Sequence, residues 1–300
     1  MNCDSDSLDD RTLRRLQRDS FNYFVSEVNP ANGLVLDKTA DDWPASIAAV
    51  GMALTVYPVG VERKFMTRAE AVELTLAALR FFAASEQGEG PGATGHKGFY
   101  YHFLHMETGK RAWECELSSI DTALLMAGVL AAGLYYGGAD KNETEIRSLS
   151  KMLFERVDWD WMRNGGQTLC HGWRPEAGFI PYHWEGYDEA LILYLMAMGS
   201  PTHPIPPECY EAWCGTYEWK EIYGIELLYA GPLFITRCRI SGATFAASAT
   251  ASCASTTATI SRTAGAPRWS TSNMRSAIRW GSSTWASGSG ASRPATGRTT

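Results

Sequence analysis

After Phe234 the chain changes composition abruptly: residues 235–300 carry eight Arg and no Asp, Glu or Lys, and consist mainly of Ser, Ala, Thr, Arg and Gly without a helical period. Such a segment cannot bury enough apolar surface to offset the entropy of ordering its backbone. A folded body is therefore expected at 8–234, with 235–300 as a disordered tail. With eight positive charges and no negative ones in that tail, the formal net charge of -6 leaves -14 on the first 234 residues. So acidic a body argues against a nucleic-acid binder, whose affinity rests on neutralising phosphates with Lys and Arg.

The genetic code supplies a sharper reading of the tail. Taking the third base of each codon with the first two of the next, Ile235 to Thr250 is compatible with HQMSHLWRDFRGIRD, and Asn273 to Ser283 with YAIRNP, a variable apolar residue and GF. A frameshift near residue 235 is the expectation that follows.

Met1 to Asp6 holds no basic segment leading into an apolar run, so no secretory signal is expected. The cytoplasm is then the expected location, while a misassigned start codon would allow a periplasmic or secreted protein. No stretch approaches the roughly 20 apolar residues of a membrane span. Seven Cys without a repeating pattern suit free thiols, and Cys209 and Cys214 are spaced wrongly for a zinc knuckle. His102 and His105, three apart, lack a third ligand. Neither a metal nor an organic cofactor is expected.

Within the body the apolar residues recur at helical spacing. Leu13, Leu16, Phe21 and Phe24 mark an amphipathic helix over 8–27. Ser46 to Tyr57 is apolar on nearly all sides, as a helix in the middle of a protein would be, with Pro58 expected to end it. Thr67-Arg68-Ala69-Glu70 is a capping box opening a helix to about Ser85. Ser119–Tyr136 and Glu143–Val157 form a helical hairpin across a Gly-Gly turn, and Tyr187–Met198 and a weaker stretch over 210–228 follow. Seven helical segments, no run of alternating strands, and loops rich in Trp, Tyr and His predict an all-α fold of packed hairpins with functional loops at one end.

Carboxylates concentrate where a polar stretch, Trp113-Glu114-Cys115-Glu116-Leu117-Ser118-Ser119-Ile120-Asp121, turns into an apolar helix. Asp121 and Glu189 each fall in the first turn of an expected helix, which would bring both to one end of the bundle. Acidic residues also favour first turns because they complement the helix dipole and its free N–H groups. Glu114 and Glu116 are near enough to share a site with Asp121, or are solvated loop charges. Tyr100, Tyr101, Trp113, Trp173, Trp184 and Tyr187 offer flat faces of the kind that pack against sugar rings, with core packing as the competing role.

Residues 11–234 resemble the bacterial glucoamylase-like domain family, which includes endo-β-1,2-glucanases and domains of cyclic β-1,2-glucan synthases. The resemblance rests on Gly98-Phe99-Tyr100-Tyr101-His102-Phe103, Glu116-Leu117-Ser118-Ser119-Ile120-Asp121-Thr122-Ala123-Leu124-Leu125, Trp159-Asp160-Trp161, Gly172-Trp173-Arg174-Pro175, Gly186-Tyr187-Asp188-Glu189-Ala190, Gly199-Ser200-Pro201-Thr202-His203-Pro204 and Gly231-Pro232-Leu233-Phe234, in the family's order. It implies an (α/α)6 toroid and hydrolysis of a β-linked glucan, with β-1,2-glucan expected as oligosaccharide or polysaccharide substrate. Such hydrolysis uses two carboxyl groups, one to protonate the leaving oxygen and one to activate water or attack carbon.

The resemblance implies Glu189 as general acid and Asp121 as base or substrate-positioning carboxylate, with Glu116 next to them. Sugar contacts are expected from Tyr101, His102, Trp113, Glu114, Trp173, Arg174, Trp184 and Tyr187, Arg174 holding a carboxylate in place. The shifted frame of the tail resembles the family's next motif, W-x-D-F-R-G-I-R-D, so the toroid is expected to be incomplete as translated. A catalytically dead fragment that binds glucan is the alternative. An (α/α)6 polysaccharide lyase would need a Tyr or His base and basic residues for uronates, which an acidic body does not favour.

Overall fold

The computed structural model describes residues 5–90, 92–231 and 235, with side chains from residue 10 onward. The expected frame-shifted tail lies, apart from Ile235, outside the described residues. Seven α-helices dominate the described chain: α1 (Ser5–Ser26), α2 (Ile47–Glu62), α3 (Arg68–Ala84), α4 (Ser119–Tyr135), α5 (Lys141–Arg156), α6 (Leu191–Gly199) and α7 (Glu208–Gly215). Nine strands of two to four residues join them: β1 (Ala45–Ser46), β2 (Gly95–His96), β3 (Phe99–Tyr100), β4 (Phe103–Leu104), β5 (Leu117–Ser118), β6 (Gly172–Arg174), β7 (Gly178–Phe179), β8 (Trp219–Ile222) and β9 (Ile225–Leu228).

Helices α2, α4 and α6 pack side by side, and α3 and α5 pack against each other and against the first row. The sequence explains this layering. α2 and α4 are apolar nearly all round, with half of α2 and most of α4 buried, whereas α5 is charged on one face and buries Ile146, Ser150, Leu153 and Phe154 on the other. α2 and α4 approach with backbones almost touching, since a Cβ on Gly128 would meet the carbonyl oxygen of Gly51. Only glycine permits that crossing.

Serine caps fix where the central helices start. Ser46 accepts from the N–H of Ala49 at the head of α2, and Ser118 from Asp121 at the head of α4. β1 pairs with β4, and β5 with β6, which in turn pairs with β7. The N–H of Ile47 donates to the carbonyl of His102 (3.2 Å), and the N–H of His102 to that of Glu116 (3.0 Å). The segments carrying chemistry are thereby gathered at the N-terminal ends of α2 and α4.

Four features differ from the sequence expectations. Pro58 does not end α2, which continues to Glu62; a proline there removes one hydrogen bond near the helix end, and burial around Tyr57 and Gly60 offsets it. Leu13 and Leu16 stand exposed while Phe21 is buried against Gly60 and Phe65, because α1 meets the body mainly through its C-terminal part. α6 begins at Leu191 instead of Tyr187, since the Asp188 carboxylate accepts from the N–H of Ala190 and holds a turn there. Glu189 therefore precedes the helix. Only 208–215 of the last region is helical; β8 and β9 form a hairpin over Tyr223-Gly224, both with positive φ as a tight two-residue turn requires.

Candidate active site

At the head of α4 the chain leaves an extended segment and enters a helix within two residues. Strand alternation sends Leu117 into the core and leaves Glu116 half-buried beside it. The Ser118 hydroxyl donates to Asp121 Oδ2 (2.5 Å) and accepts from the Asp121 N–H (3.2 Å). Asp121 is thus fixed in the first turn of α4, where the sequence places it, with little of its surface exposed.

His102 joins the two carboxylates. Its Nδ1 lies 3.2 Å from Glu116 Oε1 and its Nε2 lies 3.5 Å from Asp121 Oδ2. Arg174 approaches the other Glu116 oxygen at 3.6 Å. The environments of the two acids differ sharply. The hydrogen bond from His102 outweighs burial and pulls Glu116 down to about 2, with the charges of His102 and Arg174 adding to it. Burial raises Asp121 above the ordinary carboxylate range, against the opposing effects of His102 and Ser118. Burial also works against a charge on His102, but Glu116, Asp121 and Asp37 outweigh it and raise its pKa.

A second loop is tied to the same helix end through Ser119. Its hydroxyl lies 2.8 Å from the carbonyl of Cys170 and 2.9 Å from that of His171, and accepts from the Trp184 indole N–H at 2.8 Å. Trp184, nearly fully buried, stacks on His171 at 4.2 Å. Burial lowers the pKa of His171, while the charges of Glu189 and, more weakly, Glu116 act the other way. The charge of Glu189 thus acts on His171, in the loop that Ser119 ties to the head of α4.

The remaining expected residues fall into two groups. Trp113 and Glu114 are exposed and both adopt positive φ. Arg174 is exposed beside Glu116, and Tyr187 is half-buried with its ring edge-on to Tyr217 at 5.7 Å. Trp173 is half-buried in a cluster with His96 and Trp161. Tyr101, expected at the sugar, is instead fully buried under the Arg111 guanidinium, which sits 4.6 Å above its ring. It offers no face to a ligand because none of its surface reaches solvent. Trp184 likewise supports His171 from within.

Sequence reasoning missed Asp37, whose charge reaches both His102 and Asp121. It also missed His171 and the anchoring hydroxyl of Ser119, for which the run Ser118-Ser119 before an apolar helix was the only signal. Among the described residues no group of three His, Cys, Asp or Glu is placed to hold a metal ion, and no helix is long and apolar enough to cross a membrane.

Comparison with known proteins finds glucoamylase-like relatives of this chain. The glycoamylase family model, described as "Putative glucoamylase", matches residues 181–283, crossing Phe234 into the tail. The exo β-1,2-glucooligosaccharide sophorohydrolase (non-reducing end) of Parabacteroides distasonis is 26% identical over 226 residues, covering 72% of this chain and 30% of that protein. A crystal structure from Bacteroides fragilis, also named a "putative glucoamylase", is 28% identical with a TM-score of 0.62, over 75% of this chain and 56% of its own. The endo-β-1,2-glucanase of Chitinophaga pinensis, solved with sophorotriose and glucose, has the same fold, with 23% identity and a TM-score of 0.64 over 75% of this chain and 58% of its own. This chain spans less than a third of the curated relative and little more than half of these solved ones. With these matches the chain is similar to bacterial glucoamylase-like proteins, through the family model over residues 181–283 and relatives 26% and 28% identical to it.

Proposed function

We propose that this protein is a glycoside hydrolase acting on a β-linked glucan, with β-1,2-glucan as substrate, and that its described helices form one arc of an (α/α)6 toroid. Support for the fold comes from the two rows of helices and from the solved relatives. Support for the substrate comes from the names of relatives acting on β-1,2-linked glucans. The observation that carries the reading is the Glu116–His102–Asp121 bridge, two carboxyl groups driven apart in acidity at the mouth of a helix pair.

In this proposal Glu189 protonates the leaving oxygen and Asp121 is the base or substrate-positioning carboxylate. Burial of Asp121 favours proton transfer at moderate pH, since a carboxyl with a raised pKa is the better base. Glu116, held near 2, stays ionised and is too weak a base to take a proton. Its part is to orient His102 and Arg174 and to stabilise positive charge developing on the sugar. Hydrolysis of this kind needs only water as co-reactant.

A second reading, a glucan-binding fragment without activity, is favoured by the tail, which supplies no carboxylate from 235 to 300. We propose a frameshift near residue 235 as its cause, and resequencing of the coding DNA tests it directly. Incubation with linear β-1,2-, β-1,3- and β-1,4-glucans, followed by a reducing-end assay of the chain and a frame-restored version, tests the function. New reducing ends from β-1,2-glucan alone are expected. Release from none of the three by either version contradicts the hydrolase reading.

A further inference from the structure

A continuous run of rings leads from the carboxylates to the surface. Phe103 stacks on His102 (3.8 Å), Trp113 packs against Phe103 (5.2 Å), and Trp43 meets Trp113 edge-on (4.7 Å). We propose that Trp43, Trp113 and Phe103 form a platform for a glucosyl unit of the substrate beyond the unit at the carboxylates. The inference rests on the glucan reading above.

Trp113 is 55% exposed, and the backbone holds it there at a cost. Trp113 and Glu114 have φ of 53° and 51°, and Asp42, beside Trp43, has φ of 54°. Left-handed backbone at a non-glycine residue is strained and persists only where the surroundings impose it. Arg111 imposes it at Trp113. Its guanidinium, 3% exposed, donates to the carbonyls of Glu114 and Cys115, each at 2.6 Å, and pairs with Glu176 at 2.6 Å. A buried cation thus fastens the loop in the conformation that displays the indole.

The platform has the mixed chemistry that a sugar needs. Flat rings meet the C–H face of a pyranose, while charged groups beside them take its hydroxyls. Asp37 accepts from the Trp43 indole N–H (3.1 Å), the exposed Glu114 follows Trp113, and Lys38 Nζ occupies one face of the Trp43 ring at 3.6 Å, so that the exposed Trp113 presents the sugar-facing surface. Continuity through Phe103 and His102 to Glu116 and Asp121 favours a neighbouring unit of the same glucan over an unrelated apolar partner.

Calorimetric titration of the whole 300-residue protein with linear β-1,2-gluco-oligosaccharides of increasing length tests this. The affinity of the parent should rise with chain length. Trp113→Ala and Trp43→Ala should each weaken binding of the longest oligosaccharide about tenfold and leave that of the disaccharide unchanged, while Trp113→Phe keeps most of the gain. Trp113 is exposed, so its loss does not endanger the fold. Parent-like affinity at every length in both alanine variants overturns the platform and leaves the glucan reading standing. Failure of the parent to bind any of them overturns both.

Discussion

The imidazole of His102 and the carboxylate of Glu116 form an ion pair 3.2 Å long, two residues from the cap of α4. The pair couples stability to pH from both sides. Glu116, lowered from 4.5 to about 2, contributes stability that is present above 4.5 and lost as pH falls toward 2. His102, raised above 6.5, contributes stability that is fully present below 6.5 and lost as pH rises through its folded pKa. His102→Ala should therefore cost most between those two ordinary values, about 1.5–3 kcal/mol for a hydrogen bond between charged groups. Urea unfolding across pH checks it; a curve parallel to that of the parent contradicts the pairing.

Asp121 should show the opposite balance of stability and activity. Its raised pKa means that the ionised form is disfavoured in the folded protein, a cost present above the folded pKa and relieved as pH falls through it. Asp121→Asn removes that charge and keeps an acceptor for Ser118. We expect a gain of about 0.5–2 kcal/mol at neutral pH and, on the proposed hydrolase reading, a fall in the kcat of the frame-restored protein of about 10²–10⁴. Thermal melts and steady-state rates report the two quantities separately.

Gly128→Ala tests whether the helix crossing sets the site. The added Cβ would collide with the Gly51 carbonyl, a backbone atom that cannot swing away. Overpacking of this kind costs about 1–3 kcal/mol, and separating α4 from α2 should also loosen His102 from Asp121. A shallower pH dependence of stability should accompany the lower melting point.

Ser119→Ala should leave the Trp184 indole N–H buried without its acceptor and release the carbonyls of Cys170 and His171 from their hydroxyl partner. A loss of about 1–3 kcal/mol is expected. Protease nicking within 170–189 is the accompanying readout, because the hydroxyl fastens that loop to α4.

The helices were legible where local signals agreed. The Thr67 box, the apolar run after Ser118 and the charged face of α5 each specify an element without help from distant residues. Asp121 in a first turn was legible for the same reason. The start of α6 was not, because Asp188 turns the chain just ahead of it, and the β8–β9 hairpin hid behind aromatic residues that also suit a helix. Asp37 could not be found from sequence. It is one acid in an extended segment, and only the pairing of Leu36 with Ala45 and of β1 with β4 carries it toward α4. Tyr101 misled because an aromatic residue in a motif looks the same whether it faces a sugar or supports a buried arginine.

The most direct test of the carboxylate account is the initial rate of reducing-end release from linear β-1,2-glucan, measured for the frame-restored protein and for its Glu189→Gln and Asp121→Asn variants. Hydrolysis by the restored protein and a loss of at least about 10² in both variants are expected, with the fold unchanged by circular dichroism. Full activity in Glu189→Gln would contradict the carboxylate account.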